Sequence, residues 1–229
     1  MLVYRYMSER YALEALQTGL WKIGRLAELN DPYDCQPVLT NQPHSENPDR
    51  FTSDYFRRFN DIVGVFCYSA KIDDPVIWSH YADVHRGIAL AFEYTDPVNE
   101  KGLFQMGYNE NRPSLDYLQL EKLRAESEWD HLVEVIRGGF TSKAKSWEYE
   151  SEYRHFIRLD GQGNQLIGRN YFRGIPISEL YAVVLGARCS VTENDIARIF
   201  SFSNGRVGGA KIRRAQMNSS SYKMDGCYS

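Results

Sequence analysis

The segment SWEYESEYRHFIRL, residues 146–159, carries the two carboxylates best suited to chemistry. Its residues alternate with the period of a β-strand, which predicts Glu150 and Glu152 on one face, about 7 Å apart at a rise of about 3.3 Å per residue. One carboxylate can orient a sugar hydroxyl while the other polarises an attacking group. The same pattern also fits an edge strand protected by charge, with Arg154 neutralising Glu152.

A second candidate is the segment NDPYD, residues 30–34. Asn, Asp and Pro together are typical of a bare turn. However, Asn30, Asp31 and Tyr33 also bring an amide, a carboxylate and an aromatic ring to the end of a predicted strand, where ligands are often held. The sequence leaves both interpretations open.

The segment WSHYADVHRG offers two histidines, but they are a weak metal signal. His80 and His85 are five residues apart on a predicted helix, so they point about 140° apart and do not share a face. No cysteine or carboxylate stands at zinc-ligand spacing beside them. We therefore expect no metal.

Common nucleotide-binding and hydrolase motifs are absent from the sequence. It contains no Walker A loop, no G-x-G-x-x-G, no H-E-x-x-H and no G-x-S-x-G. Their absence argues against hydrolysis of nucleoside triphosphates, dehydrogenase chemistry and serine-hydrolase chemistry.

Charge is unevenly distributed along the chain of 229 residues, whose net charge is −3. That net charge provides no general attraction to nucleic acid. From residue 184 onward, however, the sequence contains seven Lys and Arg residues but only three acidic residues. Either this is solvated surface charge, or the basic region contacts a phosphate-bearing partner through Arg206, Lys211, Arg213 and Arg214.

Four well-separated cysteines form no C-x-x-C pair, and no apolar run approaches the length of a membrane span. The first residues lack the apolar core of a signal peptide. We expect a cytoplasmic protein with free thiols and no membrane partner.

The hydrophobic content of 43% and the order of predicted elements favour one α+β domain over residues 1–229. We expect a mixed or antiparallel sheet core with flanking helices, and a helical insert over residues 113–137. Boundaries of three helices are also predicted: one helix ends at Gly19, one starts at Asp74 and runs to Arg86, and one is capped by a Ser190–Glu193 box.

Several segments, taken in order, are similar to a widespread bacterial family of cytosolic proteins catalogued as a domain of unknown function. They are N-D-P-aromatic, W-S-H-Y-A-x-x-H-x-G and W-x-Y-E-x-E-x-R. That family is often met near mobile elements and phage-defence genes, which implies a role in defence for this chain.

The order of elements also resembles the ADP-ribosyltransferase superfamily, especially its bacterial toxins that modify DNA bases. The resemblance implies a split sheet, NAD as substrate, and Glu150 or Glu152 as the catalytic carboxylate that supports a cationic sugar. It also implies a set of cofactor-binding residues. Arg5 would hold the ribose or pyrophosphate, Tyr68 or Tyr81 would stack on nicotinamide, and Asn30, Asp31, Trp78, His80 and His85 would complete the site.

Three functions follow in order of preference. The first is an NAD-dependent ADP-ribosyltransferase, a toxin or phage-defence effector that acts on a nucleic-acid or protein acceptor and has a cognate antitoxin or defence partner. The second is a non-catalytic nucleotide- or nucleic-acid-sensing module on the same fold. The third is a metal-dependent nuclease using His80, His85 and Glu150.

Overall fold

The chain folds as an α+β protein with a mixed sheet, as the sequence predicts. The computed structural model describes residues 1–41, 56–94, 103–118, 133, 135–174, 180–202 and 210–226. The chain divides into two compact units. The first unit comprises Met1–Lys22, Tyr68–Asp96 and Phe172–Ser229, and the second comprises Ile23–Cys67 and Pro97–Tyr171.

The described strands are short, and most have three to seven residues. In chain order they are β1 (Leu2–Met7), β2 (Leu20–Lys22), β3 (Gly24–Arg25), β4 (Val38–Thr40), β5 (Val63–Ser69), β6 (Ile88–Glu93), β7 (Leu103–Gln105), β8 (Gly107–Asn109), β9 (Ser114–Asp116), β10 (Ser142–Ala144), β11 (Glu152–Arg158), β12 (Asn164–Ile167), β13 (Asn170–Gly174), β14 (Leu180–Leu185), β15 (Lys211–Arg214), β16 (Gln216–Met217) and β17 (Met224–Asp225).

Helices lie between these strands. They are α1 (Glu9–Thr18), α2 (Pro75–Tyr81) and α3 (Glu193–Phe202), together with 3₁₀ segments at Leu26–Glu28 and Lys145–Glu150 and a π-helical turn at Ile136–Phe140. Among the described residues, no helix is both long and apolar enough to cross a membrane.

The first unit contains the strand order β15-β14-β6-β1. β14 pairs with β15 in parallel and with β6 antiparallel, and β6 pairs antiparallel with β1. The apolar runs of β6 and β14 are buried almost throughout, which is the pattern of strands covered on both faces.

Two predicted helix boundaries in this unit are confirmed. α1 ends at Gly19, whose φ of 72° is left-handed and whose amide donates to the Ala15 carbonyl. α2 starts after Asp74, whose carboxylate accepts the amides of Val76 and Ile77.

The predicted end of α2 is wrong. The helix stops at Tyr81, and Asp83, Val84 and His85 follow with φ of 46°, 53° and 67°. Three consecutive left-handed residues, one of them β-branched, are costly for L-amino acids. Gly87 follows this turn, and a side chain there would collide with the backbone of Met7.

In the second unit, β5 pairs antiparallel with β3 and also neighbours β11, which pairs with β7. Its apolar core is rich in aromatic rings. Phe104, Phe140 and Phe156 pack there with Ile136 and Val63.

Two further predicted elements differ from the structure. Residues 114–116 of the predicted helical insert form β9, which pairs in parallel with β4, while residues 119–132 and 134 of that insert lie outside the described residues. The capping box of α3 is formed by Thr192 and Asp195, because Ser190 instead donates to Glu9.

Candidate functional site

The glutamate pair lies at a junction between a helical turn and a strand. The predicted strand over residues 146–159 is wrong in its first half: Lys145–Glu150 is a 3₁₀ segment, Ser151 has a left-handed φ of 45°, and β11 starts at Glu152. The turn breaks the alternation, so Glu148 is not on the same face as the pair. The Glu148 side chain is 57% exposed and binds Lys145.

The polar face of β11 is its buried face. Glu152, Arg154 and Phe156 alternate along the strand and are all buried, whereas Tyr153 and His155 between them are only half-buried. Glu150 is buried as well. Charged residues are seldom buried without partners, so this face requires opposite charges from other segments.

Arg154 forms the centre of the compensating network, and its partnership with Glu152 confirms the predicted neutralisation. Its Nε donates to Glu152 Oε1 at 2.7 Å and its Nη2 to Glu152 Oε2 at 2.9 Å. The same Nη2 donates to Asp34 Oδ1 at 2.9 Å, and Nη1 lies 3.7 Å from the sulfur of Cys35. Such two-pronged pairing matches the planar guanidinium to a carboxylate.

Lys143, from β10, supplies the second buried cation. Its ammonium donates to Glu150 Oε2 at 2.6 Å and to Glu152 Oε2 at 3.3 Å, and it lies 3.8 Å from Asp34 Oδ2. The Trp147 ring covers the ammonium, whose nitrogen is 4.7 Å from the ring centre. We call Asp34, Lys143, Glu150, Glu152 and Arg154 the buried charge cluster.

The surroundings within the cluster shift the pKa values of Glu152 and Asp34 in opposite directions. Burial by itself raises the pKa of Glu152, but Arg154 and Lys143 outweigh it and hold the pKa at about 2. For Asp34, burial dominates, and the pKa is raised despite the same two cations. Glu152 is therefore firmly ionised, whereas burial shifts Asp34 towards its neutral form.

Cys35, which lies beside the cluster, is not a nucleophile. Burial raises the pKa of the Cys35 thiol to about 12, so the thiolate is not populated near neutral pH. Cys67 hydrogen-bonds the Glu152 side chain and helps to lower its pKa. Within the described part of the chain, Cys35, Cys67 and Cys189 are all free thiols, as predicted.

A pocket of about 230 Å³ lies in the second unit and includes Lys143 of the buried charge cluster in its wall. Its lining is polar and carries both signs of charge. Among the lining residues are Asp31, Tyr33, Gln36, Asn109, Arg112 and Lys143. The Arg112 guanidinium lies over the exposed Tyr33 ring, 5.8 Å from its centre.

The NDPYD segment contributes to both features. Asp31 Oδ1 accepts the Tyr33 amide at 2.9 Å, and the Asp31 carbonyl accepts the Asp34 amide at 3.0 Å. This tight turn directs Asp34 into the buried charge cluster and leaves Asp31 in the pocket wall. Asn30, which precedes them, is exposed.

Sequence reasoning named Asp31, Glu150, Glu152 and Arg154 but missed Asp34 and Lys143. Asp34 had a usable signal, because it ends the NDPYD turn. Lys143 had none, since an isolated lysine is usually a solvated surface residue.

Six of the predicted cofactor-binding residues belong to the first unit. Arg5 donates to the Lys22 carbonyl and its guanidinium lies 5.1 Å from the Trp21 ring centre, with Tyr68 tilted against the same tryptophan. Trp78 is fully buried and its indole donates to the Ile72 carbonyl at 2.7 Å.

His80 and Tyr81 lie on α2 with their rings edge to face, 6.1 Å apart. His85 lies in the left-handed turn and not on the helix. Burial, with Arg188 nearby, lowers the pKa of His85. Among the residues that the structure describes, no group of three or more His, Cys, Asp or Glu is arranged to hold a metal ion.

The basic C-terminal residues are partly engaged within the first unit. Lys211 donates to the Tyr181 hydroxyl at 2.9 Å, and Arg214 binds Glu193 and three backbone carbonyls. Arg213 donates to the carbonyl of its neighbour Ile212. Arg206 lies outside the described residues.

The fold and site define an α+β protein with a buried charge cluster and a polar pocket in its second unit. Residues 77–155 match the model of a family described as "Protein of unknown function (DUF2971)". The matched stretch contains α2 from Ile77 onward, the left-handed turn, Glu150, Glu152 and Arg154, and it is in this part that the chain is similar to that family. Neither the curated proteins nor the solved structures contain a significant match to the chain.

Proposed function

We propose that this protein binds a nucleotide through the pocket of the second unit and serves as a nucleotide-sensing module. The observation that carries the proposal is the composition of the pocket wall, where amides, two carboxylates and two cations surround a cavity of about 230 Å³. Such a mixture suits a small ligand with many hydroxyl and amide groups, because a few well-placed polar groups fix its orientation.

The size of the pocket limits what enters it. Drug-sized ligands occupy cavities of about 300–1,000 Å³, so a dinucleotide such as NAD inserts only one of its parts. At the edge, the Tyr33 ring is 63% exposed and is paired with Arg112. An exposed ring beside a guanidinium offers a stacking surface for a planar base.

The state of the two glutamates favours binding over catalysis. Glu150 and Glu152 are buried, and Lys143 and Arg154 bind their carboxylates at 2.6–3.3 Å. A carboxylate that stabilises a cationic sugar has to touch it, and these oxygens instead contact protein cations. In this proposal the buried charge cluster is the rigid support of the pocket, which it reaches through Lys143.

ADP-ribosyl transfer from NAD, in a toxin or phage-defence effector, is the second candidate. One observation favours it: Glu152 keeps its negative charge at all physiological pH values because its pKa lies at about 2. A permanently ionised carboxylate is the group that electrostatic stabilisation of a cationic sugar requires. The acceptor would be a nucleic acid or a protein.

One pair of measurements separates the two candidates. NAD is titrated into the purified protein by calorimetry, and the same mixture, with cell extract as acceptor, is analysed for free nicotinamide by mass spectrometry. Binding without nicotinamide release is expected. Release that disappears in Glu150→Gln and Glu152→Gln, but persists in the exposed Glu148→Gln control, would establish transfer instead.

A pocket variant tests the site itself. Arg112→Gln is expected to weaken NAD binding at least about fivefold, whereas Arg158→Gln, an exposed arginine of the same unit outside the pocket wall, leaves it unchanged. If NAD, AMP and adenosine all fail to bind the wild-type protein at millimolar concentration, the proposal is wrong. Nucleic-acid cleavage that a chelator abolishes would indicate the metal-dependent nuclease.

A further inference from the structure

Asp31 has an unusual position in the pocket wall. Its side chain lines the pocket although the residue is only 6% exposed. One carboxylate oxygen, Oδ1, accepts the Tyr33 amide at 2.9 Å. Within the described part of the chain, Oδ2 accepts no hydrogen bond from the protein, so an acceptor at the border of the cavity is left for a ligand to bind.

This arrangement selects the kind of group that the pocket accepts. When a ligand covers this carboxylate oxygen, the ligand has to supply a hydrogen-bond donor, because a charged acceptor that is buried without a donor is strongly unfavourable. A phosphate provides no donor and is repelled by Asp31 and by Glu110, which also lines the pocket. A vicinal diol provides two donors close together, which is how an acidic side chain holds ribose in dinucleotide-binding folds.

The cations of the wall do not reverse this preference. The Lys143 ammonium is already shared among Glu150, Glu152 and Asp34 at 2.6–3.8 Å. Arg112 lies against the Tyr33 ring. The amides of Gln36 and Asn109 in the same wall are neutral groups that suit sugar hydroxyls.

We infer that Asp31 binds the 2′- and 3′-hydroxyls of a ribose, so that the nucleoside end of the ligand, and not its phosphates, occupies the pocket. This inference rests on the proposed function, since it names the part of the nucleotide that the same pocket binds.

The first test needs no mutation. Nicotinamide riboside and adenosine are titrated into the wild-type protein beside their 2′-deoxy counterparts and beside inorganic phosphate. Loss of one hydrogen bond to a charged acceptor is expected to weaken binding of the deoxy compounds about tenfold or more. Phosphate alone is expected not to compete with the ribosides.

The second test uses Asp31→Asn, which keeps an oxygen for the Tyr33 amide. In this variant the ratio of ribo to deoxy affinity is expected to fall to about one. The matched control is Glu110→Gln, which removes the other carboxylate of the wall and is expected to leave the ratio unchanged. Thermal unfolding curves of both variants verify that the fold is retained.

The outcomes of these tests distinguish the inferred role of Asp31 from the proposed function of the protein. If NAD binds but the wild-type protein does not distinguish ribo from deoxy compounds, the role of Asp31 is wrong and the proposed function stands. The role is equally wrong if Asp31→Asn retains the discrimination. If no nucleotide or nucleoside binds the wild-type protein, both are wrong.

Discussion

Arg154 and Glu152, two residues apart on β11, form a two-pronged ion pair inside the second unit, with Nε–Oε1 at 2.7 Å and Nη2–Oε2 at 2.9 Å. The same guanidinium reaches Asp34, 120 residues earlier in the chain. One arginine therefore holds the NDPYD turn against the strand that carries the predicted glutamate. Counted by formal charge, the buried charge cluster has three carboxylates and two cations, so removing either cation leaves a larger uncompensated charge.

Arg154→Met is expected to lower the free energy of unfolding by about 3–5 kcal/mol. The substitution retains an apolar stem of similar length but leaves Glu152 and Asp34 buried without their guanidinium. Denaturant titration followed by circular dichroism measures the loss.

The matched control is Arg158→Met on the same strand. Arg158 pairs with Asp160 at the surface, and exposed pairs contribute at most about 1 kcal/mol. Equal losses in the two variants would mean that Arg154 is not the residue that stabilises the cluster. If Arg154→Met does not accumulate as soluble protein while Arg158→Met does, the conclusion is the same as for a large loss.

The contribution of Glu152 to stability is expected to depend on pH. Its pKa is lowered from 4.5 to about 2 on folding, so the ionised carboxylate stabilises the folded state above pH 4.5, and this stabilisation is lost as the pH falls from 4.5 towards 2. The difference in unfolding free energy between wild type and Glu152→Gln, measured from pH 7 to pH 2.5, should shrink over that window.

Asp34 provides an internal check, because its contribution to stability is expected to change with pH in the opposite direction to that of Glu152. Its pKa is raised on folding, so its contribution is most favourable below pH 3.8 and is lost as the pH rises above that value. The difference between wild type and Asp34→Asn should therefore decrease with rising pH. Parallel slopes for Glu152→Gln and Asp34→Asn would contradict the assignment of charge within the cluster.

Gly87→Ala is expected to destabilise the protein by about 3 kcal/mol or more. A methyl group at Gly87 would lie 2.1 Å from the Met7 carbonyl oxygen. The backbone of Met7 cannot move away without disturbing the pairing of β1 with β6, so the clash is not easily relieved. Thermal unfolding measures the effect. Gly174→Ala is the control, because no atom lies within 4 Å of its added methyl group, and it should change stability by less than about 1 kcal/mol.

Val84→Asn is expected to stabilise the protein by up to about 1 kcal/mol. Val84 has a φ of 53°, a conformation that costs a β-branched residue about 1–2 kcal/mol and that asparagine adopts more readily. Val76, on α2, is equally exposed at 44% and has ordinary helical geometry, so Val76→Asn should be neutral or slightly destabilising. A melting temperature that falls in Val84→Asn would show that the left-handed turn is not strained.

Local signals in the sequence predicted local structure well. Gly19 ends α1, and Asp74 with Pro75 starts α2, because a left-handed glycine and an N-cap carboxylate act on backbone groups within a few residues. Such signals failed where tertiary contacts override propensity, as at residues 145–151 and 83–85.

The sequence by itself determined the α+β class, the end of α1, the start of α2 and the presence of carboxylates in the glutamate pair and the NDPYD turn. Only the tertiary structure decided that these carboxylates are buried, that Asp34 and Lys143 join them, and that Asp31 borders a pocket. The physical reason is distance along the chain. Alternation and capping depend on neighbouring residues, whereas the ion pairs that permit burial of a charge join segments up to 120 residues apart and leave no periodic signal.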